Sequence, residues 1–258
     1  MFLFGKRKKP YGAGRKKRAA AFVDFEHWYI SLYRNFGIRP DIRSWYREIS
    51  EKYDLKDVYF FADFSNPSLR GEIPKIREIT TNIIETQNAA AHYKKDFTDF
   101  IMLDHIYQSA FHDDTDAFII FTGDGHFSSV VSYLTAKRRK EVAVYGIKNA
   151  ISTSLKNTAT YCFALPSEQD IRKSRYSLII NAIKRLYDEN RNARPTFNKT
   201  IENVAKDNGL KEEEVGGYMQ ELIDKGYVYQ KKKYFQGGNF IKVLALNGEL
   251  IKLDRIID

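Results

Sequence analysis

The sequence predicts an α/β protein: a doubly wound, mostly parallel sheet with helices on both faces, followed by a small α+β domain. Two observations carry this expectation. From residue 19 to residue 165, short apolar runs rich in β-branched and aromatic residues alternate with stretches of helical period. Strands that alternate with helices build parallel βα units with right-handed crossovers. Beyond residue 175 the alternation stops, and three amphipathic helices precede a pair of alternating runs. That is a different architecture and so a separate domain.

Residues 1–18 form a basic tail. Eight Lys or Arg fall between Lys6 and Arg18, with Gly and Pro among them. Such a segment is expected to be disordered, either binding nucleic acid electrostatically or serving as a soluble extension. Strands are expected at AAFVDF (20–25), DVYFFADF (57–64), AAHY (90–93), AFIIFTG (117–123), EVAVYGI (141–147) and TYCFAL (160–165). Helical period fills 27–53, interrupted by GIRPD, then 73–86, 99–111, 127–138 and 151–157. Together these make a domain over 19–165.

The charged stretch 166–175 reads as a linker. In YSLIINAIKRLYDEN, Leu178, Ile179, Ala182, Ile183 and Leu186 recur at helical spacing. A second helix is stopped by Gly209 and a third by Gly226. YVYQKKKYFQGGNFIKVLAL has two alternating runs with Gly-Gly near the bend, which is a hairpin signal. Three helices and a hairpin over 176–258 are the layout of a winged helix, an order that small protein-binding modules also use.

Hydrophobic residues make up 43% of the 258, enough for a true core. The net charge of +9 and pI near 9.3 favour a polyanionic partner, nucleic acid ahead of a membrane surface. Lys231, Lys232 and Lys233 on the hairpin fit phosphate contacts, or equally the protection of a strand edge. The lone Cys162 excludes an internal disulfide and a four-cysteine zinc site, and reads as a small buried residue. No apolar run reaches membrane-spanning length. The N-terminus has apolar residues before its charges, the reverse of a signal peptide, so a cytoplasmic protein is expected. The sequence leaves room for a homo-oligomer.

Carboxylates stand where the local pattern calls for apolar residues. Asp24 closes the first apolar run and Asp124 follows the fourth, in FTGDGH. In a parallel sheet both lie at the carboxyl edge, where sites are built. Asp104 lies on the edge of a helical stripe of Phe100, Leu103, Tyr107 and Phe111. A carboxylate half-buried among aromatics is costly unless paired or metal-bound. Converging acids without a cysteine cluster favour a hard cation, Mg²⁺ or Mn²⁺. Thr122 could bond a metal water, and Gly123 and Gly125 would allow a sharp turn beside the metal. Asp99, near a helix start, suits a capping or dipole role as well as a supporting one. Asp63 follows the second apolar run, where it fits the rim of the site or equally a turn before Pro67, and Glu26 and His27, next to Asp24, could back the acids.

AFVDFEHW, FTDFIMLDHIY and AFIIFTGDGHFSSVVSYLTAKRRKEVAVYGI resemble the NYN family of PIN-like nucleases over residues 19–165. The resemblance implies a PIN-like fold and a metal-dependent ribonuclease acting on RNA. Carried over to this sequence, its acidic site falls on Asp24, Asp104 and Asp124, with Asp99 near a further family acid. His126 stands where many members have a second Asp. The expected function is Mg²⁺- or Mn²⁺-dependent hydrolysis of RNA phosphodiester bonds by Asp24, Asp104 and Asp124, supported by Asp99, Thr122 and His126. The rival is a catalytically weak or inactive nucleic-acid-binding or regulatory protein on the same fold, which His126 favours. A small-molecule phosphoesterase fits the positive charge poorly.

Overall fold

The computed structural model describes residues 15–86, 97–111, 114–190, 192–234, 238–254 and 256. The chain divides into two units, one up to Leu165 and one from Pro166 onward.

Strand β1 (Arg18–Asp24) is the apolar run RAAAFVD, buried from Ala19 on. Asp24 ends it and caps helix α1 (Phe25–Phe36) by accepting a hydrogen bond from the His27 N–H at 2.9 Å. A carboxylate at that position satisfies one of the helix's orphan donors. Gly37 closes α1 in the left-handed conformation, at φ 64°, where a side chain would be strained. Helix α2 (Ile42–Lys52) starts from an Asp41 cap and leads into β2 (Asp54–Ala62). Two short helices follow, α3 (Pro67–Arg70) and α4 (Ile73–Arg77), then β3 (Ile83–Glu85). After these come α5 (Phe97–Phe111), β4 (Ala117–Phe121), a 3₁₀ turn (Gly125–Phe127), α6 (Ser128–Ser132), a π-turn (Tyr133–Lys137), β5 (Glu141–Ile147), α7 (Thr153–Thr158) and β6 (Tyr161–Leu165).

The six strands are all parallel, in the order β3-β2-β1-β4-β5-β6. The two-residue period of β1 sends its side chains into two cores. Ala19, Ala21 and Val23 join Trp28, Trp45 and Ile49 on the α1–α2 face. Ala20 and Phe22 join Met102, Ile106, Val130 and Leu155 on the face of α5, α6 and α7. Trp28 stacks on Phe121 with centroids 4.1 Å apart. Each large side chain buried this way contributes about 1.5–3 kcal/mol.

The structure departs from several of the sequence-based expectations. The helix expected over 73–86 breaks after Arg77, and Ile83–Glu85 pair with β2 as the edge strand. Thr80 Oγ1 accepts from the Asn82 N–H, a local turn that competes with helix, and the β-branched Ile83 and Ile84 suit a strand. The strand expected at 90–93 lies outside the described residues, as does most of the basic tail. Lys16, Lys17 and Arg18 do bond to the first unit, Lys16 to Ser50 O and Lys17 to Glu141. The stripe expected on α5 is not its buried face: Phe100 and Phe111 are exposed, and Met102, Ile106 and Ala110 are buried. Apolar residues occupy several faces of α5, so periodicity alone chose the wrong one. Cys162 is exposed because β6 is an edge strand.

The second unit begins with α8 (Glu168–Glu189). Most of the expected linker 166–175 is therefore helical. Ser167 and Asp170 form a capping box, which starts the helix at Glu168 instead of Tyr176. Then follow α9 (Phe197–Asn208), α10 (Glu212–Asp224), the antiparallel hairpin β7 (Val228–Tyr234) and β8 (Phe240–Leu246), and α11 (Gly248–Leu253). Ile179, Ile183, Val204, Met219, Leu222, Val228 and Leu244 share its core. Arg175 is buried and pairs with Glu214 at 2.8 Å, which ties α8 to α10. Among the described residues no helix is long and apolar enough to cross a membrane.

Candidate functional site

In this sheet β1 sits between β2 and β4, and chain order runs outward from it in both directions. The crevice beyond the carboxyl ends of β1 and β4 is thus the topological switch point, where ligands bind in open α/β sheets. Asp24 is the last residue of β1, and Asp124 follows β4 by three residues. Both acids arrive at the same crevice because their strands are neighbours.

Asp24 is 7% exposed. Its pKa is pushed up from 3.8 to about 8, chiefly by burial. The bond from the His27 N–H pulls it down, while Asp99, Glu26 and Asp124 push it further up by repulsion. Carboxylates from β1, the start of α1, the start of α5 and the loop after β4 therefore feel one another.

Asp99 lies in the first turn of α5, three and seven residues before the buried Met102 and Ile106. It shares their side of the helix and reaches the sheet edge. Ligand atoms of Asp99, Asp124 and His126 all lie within 4.8 Å of one another. Asp124 is fixed by three contacts. Its N–H donates to Thr122 Oγ1 at 3.2 Å, its Oδ1 accepts from the His126 N–H at 2.9 Å, and His126 Nδ1 lies 3.4 Å from that oxygen. Thr122 is fully buried, so it holds the Asp124 loop from behind.

Asp104 does not join this group. It is exposed and accepts from Gln108 Nε2 at 2.7 Å. Five residues beyond Asp99 it is turned by about 140° around the helix. The structure thus brings together Asp24, Asp99, Asp124 and His126, with Thr122 behind them, and leaves Asp104 on the outer face. The signal that singles out Asp99 is its spacing to Met102 and Ile106, and it needs the true buried face to be known.

The two loop glycines do not serve a positive-φ turn. A Cβ on Gly123 would run into Ala150 O and the His27 ring, and one on Gly125 would crowd Ser152 Oγ. Close packing requires glycine there. His27 Nε2 is buried with no hydrogen-bond partner among the described residues, and burial lowers the His27 pKa although Asp124 opposes the shift. Beside the acids lies a cleft of roughly 290 Å³ lined by Glu26, Asp63, Asn66, Phe97 and Thr98, among others. Glu26 Oε2 accepts from the Asp63 N–H at 3.4 Å.

Carboxylate oxygens with one imidazole nitrogen make a donor set that fits a divalent cation. Repulsion on Asp24 from three neighbouring acids is the strain such a cation would relieve.

The NYN domain model matches residues 18–166. The chain belongs to the NYN domain family. NYN domains are PIN-like and generally nucleases, typically with divalent metals, and the family implies RNA binding. The chain is also similar in fold to the crystal structure of a protein of unknown function, VPA0982, from Vibrio parahaemolyticus RIMD 2210633, with a TM-score of 0.54. The two are 20% identical, over 61% of this chain and 98% of that one, a likeness that shows the fold alone. No curated protein matches the sequence.

Proposed function

We propose that the chain is a metal-dependent ribonuclease whose site is built by Asp24, Asp99, Asp124 and His126. The observation that carries the reading is the convergence of Asp99, Asp124 and His126 within 4.8 Å, beside a buried carboxyl group at the switch point of an NYN sheet. These residues would hold Mg²⁺ or Mn²⁺. Such an ion, when bound, stabilises charge on a phosphodiester and lowers the pKa of water.

The chain's own groups have distinct parts. Asp24 Oδ1 is held by the His27 N–H, which leaves Oδ2 to face the ion or a water on it. In the metal-free chain burial and the neighbouring acids favour the protonated Asp24 carboxyl, and a bound cation would shift it toward the charged form. Thr122 keeps the Asp124 backbone in place. The neighbouring cleft offers the Phe97 ring and polar groups to an adjoining nucleotide. The second unit is read as a winged-helix-like module that adds RNA affinity.

The test is cleavage of a mixed RNA pool with Mn²⁺ or with EDTA. Asp99→Asn and Asp124→Asn should lower the Mn²⁺-dependent rate by about 100-fold or more, and Asp104→Asn should leave it within about twofold. Loss of activity in Asp104→Asn with retention in Asp99→Asn would overturn the assignment. Wild-type protein that binds RNA and cuts none of it would establish the rival, a binding protein on a nuclease fold. The imidazole of His126 in a group otherwise made of carboxylates is the feature that favours that rival.

A further inference from the structure

The hairpin of the second unit carries an aromatic and cationic face that its core does not use. Strand alternation divides its lysines. Lys231 and Lys233 point to one side of the ribbon, and Lys232 points to the other. The three lysines therefore do not form one row. Lys232 shares its side with its cross-strand partner Lys242 and with the facing pair Tyr234 and Phe240. Nearer the body of the unit, the same side supplies Val228 and Leu244 to the core. Toward the tip it is open: Tyr234 is 66% exposed and Phe240 45%. The two rings pack on each other with centroids 5.7 Å apart, and Lys232 Nζ lies 4.7 Å from the Phe240 ring centre.

Two features argue for a ligand. Like charges directly opposite each other on a ribbon are destabilising, so the Lys232–Lys242 pair costs stability unless an anion lies over it. Exposed, mutually packed aromatic rings beside lysines match the pattern by which proteins hold single strands, with bases on rings and phosphates on cations.

The rest of the unit excludes the usual duplex mode. In helix-turn-helix relatives a helix enters the major groove. Here the third helix, α10, holds Glu212, Glu213, Glu214, Glu221 and Asp224 with no Lys or Arg. Glu214 and Glu221 pair with Arg175 and Arg172 of α8, so that face serves the fold. A helix of that charge repels a phosphate backbone.

We propose that the second unit binds single-stranded RNA through this hairpin face, with unpaired bases stacked on Tyr234 and Phe240 and phosphates held by Lys232 and Lys242. The partner class rests on the ribonuclease reading; the stacking mode does not, because it is tested without cleavage. The full chain is titrated in EDTA against a labelled, unstructured RNA oligonucleotide and against the same sequence as a duplex, by fluorescence anisotropy at several salt concentrations.

The single strand should bind more tightly than the duplex. Tyr234→Ala with Phe240→Ala should weaken single-strand binding by about 10- to 100-fold with little change in the salt slope. Tyr234→Phe, which keeps the ring, should bind like wild type. Lys232→Ala with Lys242→Ala should reduce the salt slope by about 1.4, or 0.7 for each phosphate lost. Wild-type affinity in the double aromatic variant, or tighter binding of the duplex, would overturn the proposal. So would sedimentation showing that the aromatic variant acts only by dissociating an oligomer. A chain that binds this way and never cuts RNA would leave the inference standing and remove the ribonuclease reading.

Discussion

Replacing Asp24 by Asn removes a buried acid and little else, because an amide oxygen can still accept the His27 N–H that caps α1. In the wild type the carboxyl pKa rises from 3.8 to about 8 on folding, with burial the main cause. The sign follows from proton counts. Between those two values the folded chain holds a proton that the unfolded chain has lost, so stability falls as pH rises. The contribution is fully present below the unfolded pKa and gone above the folded one. At about 1.4 kcal/mol per pKa unit, the ceiling on the loss between pH 4 and pH 7 is ~4 kcal/mol. Local relaxation trims that to about 2–4 kcal/mol, or roughly 5–15 °C in the melting temperature of a unit this size. The chain's two tryptophans, Trp28 and Trp45, both lie in the core of the first unit, so their fluorescence reports its melting alone. In EDTA, Asp24→Asn should melt with the wild type near pH 4 and progressively above it toward pH 7. Added Mn²⁺ should narrow the gap, since binding stabilises the wild type through linkage. A variant less stable than wild type at neutral pH in EDTA, or a difference that ignores pH, would refute both the buried charge and the metal's part in relieving it.

Other outcomes follow from the same geometry. Gly123→Ala should cost the first unit about 1–3 kcal/mol in a urea titration followed by tryptophan fluorescence, because its Cβ meets backbone at Ala150 O and the His27 ring. His126→Asp should tighten Mg²⁺ binding by about tenfold in calorimetry, since it puts a hard oxygen ligand among Asp99 and Asp124. Arg175→Ala should destabilise the second unit by about 2 kcal/mol, below the loss for a fully buried pair because Glu214 is partly exposed. Amide hydrogen exchange in α8 and α10 reads that change.

By itself the sequence determined the alternating sheet, the arrival of Asp24 and Asp124 at its carboxyl edge, and the three helices and hairpin of the second unit. Those features rest on local signals: apolar runs, strand ends, Gly209 and Gly226 as stops. The tertiary structure decided what depends on which neighbour covers an element. Helix α5 is apolar on several faces, so its sequence could not say that Met102, Ile106 and Ala110 face the sheet. With that choice went the placing of Asp99, and not Asp104, beside Asp124 and His126. Cys162 is exposed because β6 ends the sheet, and edge position is a property of strand order. The pKa of Asp24 is likewise a tertiary fact. Burial raises it most, and repulsion arrives from acids 75 and 100 residues away, Asp99 and Asp124. Local pattern can place a carboxylate at a strand end, but only packing removes its water and brings the other charges to it.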